Sequence, residues 1–131
     1  MKHPHILIVD DEEDIRWAFE NILRPIGYTV TCADSSSVAF TQLERHSYVI
    51  AFIDIKLPGQ DGFEIALHII QNHPNTSIVL ISGYHNKEDN KILKWIVEGN
   101  IMGFISKPFN LQEVRSLARQ ANQKYEERRH A

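Results

Sequence analysis

Four short apolar runs in this sequence end in groups able to do chemistry. Asp10 and Asp11 follow His5-Ile6-Leu7-Ile8-Val9, and Asp54 follows Tyr48-Val49-Ile50-Ala51-Phe52-Ile53. Ser82 follows Ser77-Ile78-Val79-Leu80-Ile81, and Lys107 comes just after Met102-Gly103-Phe104-Ile105. If these runs are strands of one sheet, three carboxylates, a hydroxyl and an ammonium meet at a single rim. Carboxylates about 4 Å apart repel by roughly 4 kcal/mol per pair at an effective dielectric near 20, so such a rim calls for a cation. An all-oxygen donor set with no soft ligand suits a hard ion, and Mg²⁺ is the expected one. Asp11 and Asp54 are the expected direct ligands, with the Lys56 backbone carbonyl as a third and Asp10 acting through water. The same set suits phosphoryl transfer: a carboxylate oxygen attacks phosphorus in line while Lys107 and the ion neutralise phosphoryl oxygens. Asp54 stands alone after its run and is the expected nucleophile; Ser82 would donate to a phosphoryl oxygen beside Gly83.

Each piece also has an ordinary reading. Asp10-Asp11-Glu12-Glu13-Asp14 suits an acidic first helical turn, which favours the macrodipole. Asp54 suits a turn-initiating aspartate before Leu57-Pro58-Gly59. Ser82 alone reads as a helix cap, and Lys107 alone as a surface lysine. The combination weighs more, because separate runs would each have to end in a matched group by accident.

The elements that must position these groups follow from periodicity. Apolar residues Ile15, Phe19, Ile22 and Leu23 share one face of a helix over 14–24, stopped by Pro25 and Gly27. A second strand spans 28–32, and Asp34 or Ser35 caps a helix carrying Val38, Ala39 and Leu43. Residues 57–62 form a turn cluster, and Phe63, Ile65, Ala66, Ile69 and Ile70 mark a third helix ended by His73-Pro74. A fourth helix is expected over 87–98 with Gly99 at its C-terminal cap, and a closing helix from Leu111 to about Tyr125. Five strands alternating with five helices indicate an α/β fold, a parallel sheet covered on both faces with right-handed crossovers. Ligands of such sheets bind beyond the carboxyl ends of the strands.

The chain's 131 residues fit one domain, and 43% apolar content is ordinary for a packed core. No apolar run nears the ~18 residues of a membrane span, and Met1 to His5 leaves no room for a signal peptide. A net charge of −3, with no basic stripe before the last ten residues, argues against nucleic-acid binding by this stretch. The lone Cys32 excludes an intrachain disulfide, so a cytoplasmic setting is expected. None of the seven histidines pairs at the i,i+4 spacing of a zinc site.

Together, Ile6-Leu-Ile-Val-Asp10-Asp11-Glu-Glu, Ile53-Asp54-Ile-Lys-Leu-Pro-Gly-Gln-Asp-Gly62, Leu80-Ile-Ser82-Gly-Tyr and Phe104-Ile-Ser-Lys107-Pro108-Phe109 resemble the response-regulator receiver family of two-component systems. The resemblance covers nearly the whole chain. It implies a flavodoxin-like, doubly wound sheet of strand order 2-1-3-4-5, with Asp54 as phosphoacceptor and Asp10, Asp11 and Lys107 completing the site. It also implies a cis Lys107-Pro108 bond and a switch pair, Ser82 and Phe104, that reshapes the face of the fourth helix, fifth strand and fifth helix. Phe at 104 lacks the hydroxyl of Tyr, so this switch would lean on packing. The implied partners are a sensor histidine kinase or histidine phosphotransfer protein and, through the switching face, a second copy of the chain. Neither a membrane nor nucleic acid is expected to bind this domain. It would be a regulatory domain rather than an enzyme, catalysing only its own phosphorylation and dephosphorylation.

Residues 1–125 would form the receiver and 126–131 a tail, or a linker to an effector. The motif Asp14-Ile-Arg-Trp-Ala-Phe19 resembles receivers that precede ATPase-type transcription activators. The interval from Ser82 to Lys107 is a few residues longer than the family usually shows, the excess falling in the fourth helix and in 99–103. Ile92, Leu93, Ile96 and Val97 are expected as that helix's core stripe, with Trp95 at its edge as extended core or, less favoured, as an exposed anchor. Trp17 lies off the first helix's apolar face, either covering its edge or meeting a docking kinase. An aspartyl-phosphate hydrolase of the dehalogenase type would need an acid two residues beyond its nucleophile, where Lys56 stands. An FMN carrier would need a Ser/Thr/Gly-rich loop after the first strand, which is missing. A phosphorylation-independent interaction module would have no use for the full acid and lysine set.

Overall fold

The computed structural model describes residues 3–83 and 89–130. Five strands, β1 (His5–Val9), β2 (Thr29–Ala33), β3 (Ile50–Asp54), β4 (Ser77–Ser82) and β5 (Gly103–Ser106), form one parallel sheet in the order β2-β1-β3-β4-β5. Helices α1 (Glu13–Leu23), α2 (Ser36–Arg45), α3 (Gly62–Asn72), α4 (Asp89–Val97) and α5 (Leu111–Arg129) alternate with them. This is the flavodoxin-like arrangement that the family resemblance implies.

Alternation along the buried strands divides the core in two. Leu7 and Val9, Ala51 and Ile53, and Ile78 and Leu80 point to one face, where they pack with Ala39, Leu43, Ile65, Ile69 and Ile92 of α2, α3 and α4. Ile6 and Ile8, Ile50 and Phe52, and Val79 and Ile81 point to the other, against Phe19, Leu23, Val114 and Ala118 of α1 and α5. Both faces are covered, so the strands are apolar throughout rather than half polar. Each fully buried Leu, Ile or Phe contributes about 1.5–3 kcal/mol over an exposed one. The central strands are thereby fixed firmly enough to aim the polar residues at their carboxyl ends.

Local signals end the helices. Ser35 Oγ accepts from the Val38 amide at 3.3 Å, Asp61 Oδ1 from Phe63 at 2.7 Å and Asn110 Oδ1 from Glu113 at 2.8 Å. Of the two residues expected to cap α2, Ser35 is the one that does. Gly99 adopts φ +78° and closes α4, with the Asn100 amide reaching the Trp95 carbonyl at 2.8 Å. Beyond it Ile101 is buried and the Met102 amide bonds Ile78 O at 2.8 Å, so the long connection returns to the sheet as an ordered turn.

Three details depart from the sequence expectations. The turn cluster contains a small antiparallel hairpin, Lys56–Leu57 against Gln60–Asp61. The closing helix runs four residues further, to Arg129, whose neighbour Arg128 donates to Pro74 O at 3.4 Å and Asn75 O at 3.1 Å. On α4 the expected stripe is half wrong: Ile92 is buried and Ile96 packs on the core, but Leu93 is 55% and Val97 84% exposed. Trp95 takes their place inside, edge-to-face with Phe63 at 5.2 Å, while Lys91 Nζ lies 4.0 Å above the same Phe63 ring. The helix is rotated so that the large indole, rather than two aliphatic side chains, fills the groove beside α3. The start of this helix expected at Lys87 lies outside the described residues.

Candidate functional site: an acidic rim with one lysine

The chain leaves β1 and β3 at neighbouring positions, where the order of connections reverses, and both strands end in acid. Asp10 follows Val9 and is completely buried; Asp54 is the last residue of β3 and 6% exposed. Asp10 is held by its own backbone and its neighbours. Its amide donates to Ala33 O at 3.0 Å, its Oδ1 accepts from the Glu12 amide at 2.9 Å, and its carbonyl accepts from Arg16 Nη1 at 2.9 Å. Asp54 Oδ1 accepts from the Lys56 amide at 3.1 Å. Gly62 presses on this end of β3: a Cβ there would lie 2.1 Å from Asp54 O, closer than any side chain tolerates. That close approach is why a glycine opens α3.

Lys107 reaches into the rim from the end of β5, past a cis Lys107-Pro108 bond. Its Nζ lies 2.7 Å from Glu12 Oε1, 3.1 Å from Asp10 Oδ2 and 3.3 Å from Asp54 Oδ2. Asp10, Asp11, Glu12 and Asp54 each place a carboxylate oxygen within 4.8 Å of the others. The sequence pointed to Asp10, Asp11, Asp54 and Lys107, and the fold brings all four together. Glu12 was missed: it read as part of an acidic helical turn, yet it makes the shortest contact to the lysine.

Burial sets the electrostatics. It pushes Asp10 up to about 6, helped by the charge of Asp54 and opposed by the Glu12 amide and Lys107. Asp54 is also raised by burial, with Asp11 adding to the rise, while the Lys56 amide and Lys107 pull it back. For Lys107 burial acts to lower the pKa, but its contact with Glu12 and the charges of Asp54 and Asp10 outweigh that and leave it raised. One ammonium faces four carboxylates, and Asp10 Oδ2, although near Lys107, is buried without an aligned hydrogen bond. The rim is short of positive charge and offers only oxygen donors, which fits a hard divalent cation.

Ser82 is 4% exposed at the end of β4, and Ser106 stands beside it in the register of β5, their hydroxyls 3.5 Å apart. The Lys107 amide donates to Ser82 O at 2.8 Å, which ties the lysine to the serine strand. A Cβ on Gly83 would meet nothing within 4 Å, so space alone does not demand a glycine there. Phe104 on β5 is 40% exposed, its ring outside the core. Trp17 is 65% exposed on α1.

The sequence model of the response regulator receiver domain matches residues 6–119. The chain belongs to this family. The receiver is 28% identical over 121 residues to the C4-dicarboxylate transport transcriptional regulatory protein DctD of Rhizobium meliloti, covering 92% of this chain and 26% of that protein. It is 36% identical over 107 residues to the nitrogen assimilation regulatory protein NtrX of Azorhizobium caulinodans, covering 80% of this chain and 23% of that one. The chain thus spans about a quarter of the length of these relatives. Among solved structures, the signal receiver domain of an HD domain-containing protein from Pseudomonas fluorescens Pf-5 superimposes with a TM-score of 0.86 at 30% identity, covering 96% of this receiver and 99% of that chain. Among the described residues no helix is long and apolar enough to cross a membrane.

Proposed function

We propose that this receiver takes a phosphoryl group onto Asp54 from the phosphohistidine of a sensor kinase or phosphotransfer protein. The observation that carries the reading is the meeting of Asp10, Asp11, Glu12 and Asp54 with Lys107 at one strand-end rim. Asp11 and Asp54 would hold Mg²⁺, with the Lys56 carbonyl as a further ligand and Asp10 through water. Once bound, the ion supplies neutralisation of phosphoryl oxygens.

The chain's own groups do the rest. A carboxylate oxygen of Asp54 forms the new O–P bond as the N–P bond breaks, and the donor leaves as neutral imidazole, keeping that electron pair and the proton already on its other ring nitrogen. The Lys56 amide and Lys107 hold Asp54 as an anion aimed out of the sheet. Lys107, already 3.3 Å from Asp54, pairs with the incoming phosphoryl group. The Ser82 hydroxyl turns from Ser106 to donate to it, and Phe104 moves inward into the space released. The surface of α4, β5 and α5 then changes, and that surface, where Leu93 and Val97 are already exposed, meets a second copy or an output module. Residues 1–125 would serve as the switching unit in the cytoplasm, with 126–131 leading on from it. By analogy with the transcriptional regulators it resembles, the output is control of transcription.

The test is incubation with acetyl phosphate and Mg²⁺ followed by intact-mass measurement. The expected result is one base-labile phosphoryl group on the parent chain and none on Asp54→Asn. Equal labelling of both, or no labelling of the parent, overturns the proposal.

A further inference from the structure

The opposite end of the sheet gathers two arginines and three histidines. A cavity of about 600 Å³ opens there between the residues leading into β1, the α2–β3 turn and the last turns of α5. His3, His5, Arg45, His46 and Arg129 line it, against a single carboxylate, Glu126. With the histidines neutral, two arginines face one carboxylate here, a formal +1 in a chain whose net charge is −3. Glu126 is already engaged by Arg129 and His130, each at 3.5 Å. Arg45, His3 and His46 have no ion pair among the described residues.

The imidazoles crowd each other. The rings of His5 and His46 are 5.0 Å apart, and His5 also packs edge-on to Tyr48 at 4.6 Å with its Nε2 2.5 Å from Thr31 Oγ1. Burial, and then the neighbouring His46, lower the pKa of His5. A proton on one ring therefore opposes a proton on the other unless an anion lies between or beside them. Asn122 lines the cavity from α5, and its Oδ1 is buried without any hydrogen-bond partner.

We propose that this cavity binds a small multivalent oxyanion of the phosphate or phosphate-ester class, held by Arg45, His46 and Arg129. A metal is the poorer occupant. Among the described residues, the acidic rim is the one group of three or more histidine, cysteine or carboxylate ligand atoms lying within 4.8 Å of one another. The site lies one strand length from the acidic rim, about 16 Å along β1, and does not depend on phosphorylation of Asp54.

Titration of the full chain with pyrophosphate, and separately with sulfate, in Mg²⁺-free buffer tests this, followed by amide and side-chain NMR shifts. Saturable shifts are expected at His5, His46, Asn122 and Arg129. The double variant Arg45→Gln/Arg129→Gln should weaken binding about fivefold or more, and Lys124→Gln, outside this cavity on the same helix, should leave it within about twofold. Shifts that rise linearly without saturation overturn the site. So do shifts confined to Asp10, Asp54 and Lys107, or an equal loss on Lys124→Gln.

Discussion

Lys107 Nζ rests closer to Glu12 Oε1, at 2.7 Å, than to any other carboxylate of the rim. A lysine that must pair with a phosphoryl group on Asp54 is thus partly engaged elsewhere beforehand. Glu12→Gln keeps the shape and removes the charge. Since the Glu12 side chain is 58% exposed, its loss should change stability by less than about 1 kcal/mol. Labelling of Asp54 by a small phosphodonor at saturating Mg²⁺ should quicken by about two- to fivefold, because Lys107 then turns to the incoming group at smaller cost. An unchanged or slower rate would mean that Glu12 does not restrain the lysine.

Asp10 gives the rim a pH signature. Burial raises it to about 6, above the value near 3.9 of an exposed aspartate. The folded chain then holds the proton more tightly than the unfolded one, so stability falls as pH rises through about 4 to 6 and stays at the lower level above. Asp54 is shifted in the same direction and adds to the slope. Without divalent ions, Asp10→Asn should be more stable than the parent by about 2 kcal/mol at pH 7.5, and the two should converge near pH 4. Urea unfolding at both pH values decides it; a less stable variant at pH 7.5 would show that lost contacts to the Glu12 amide and Lys107 outweigh the burial cost.

Gly62 tests how tightly Asp54 is positioned. An added methyl would lie 2.1 Å from Asp54 O and 2.9 Å from Ile55 Cα, both main chain, so it cannot be relieved by turning a side chain. Gly62→Ala should destabilise the fold by about 2–3 kcal/mol and slow Asp54 labelling by displacing the end of β3. A variant within about 0.5 kcal/mol of the parent, labelled at the parental rate, would place the helix start further from β3 than it stands here.

The residues that were legible in the sequence and those that were hidden differ for physical reasons. Asp10, Asp54 and Lys107 were readable because each is a polar group that follows a buried apolar strand, and a parallel sheet delivers such ends to one rim. Glu12 was not, because it stands just before α1, beyond the strand, and its side-chain direction depends on how that helix turns off the rim. Ser106 was within reach, since the β4–β5 register that pairs it with Ser82 follows from counting back along the two strands. The phase of α4 was ambiguous from pattern alone: Ile92, Leu93, Ile96 and Val97 are adjacent pairs one turn apart, and either member of each pair can face inward. Packing of Trp95 against Phe63 resolved it in favour of Ile92 and Ile96.

That same contact separates the two tryptophans. Trp95 packs on the core and on the Phe63 ring, whereas Trp17 leaves 65% of its surface in water. Truncating a partly buried indole removes both apolar burial and an edge-to-face ring pair, the latter worth about 0.5–1.5 kcal/mol by itself. Trp95→Ala should therefore cost about 2–3 kcal/mol, below the 3–5 kcal/mol of a fully buried aromatic, and Trp17→Ala less than about 0.5 kcal/mol. Chemical unfolding of the two variants supplies the comparison. The emission of a Trp17→Phe variant, which retains Trp95, should lie to the blue of a Trp95→Phe variant, which retains Trp17. Equal costs for the two truncations would mean that α4 does not seat Trp95 beside α3, and the exposure of Leu93 and Val97, which depends on that seating, would then be wrong as well.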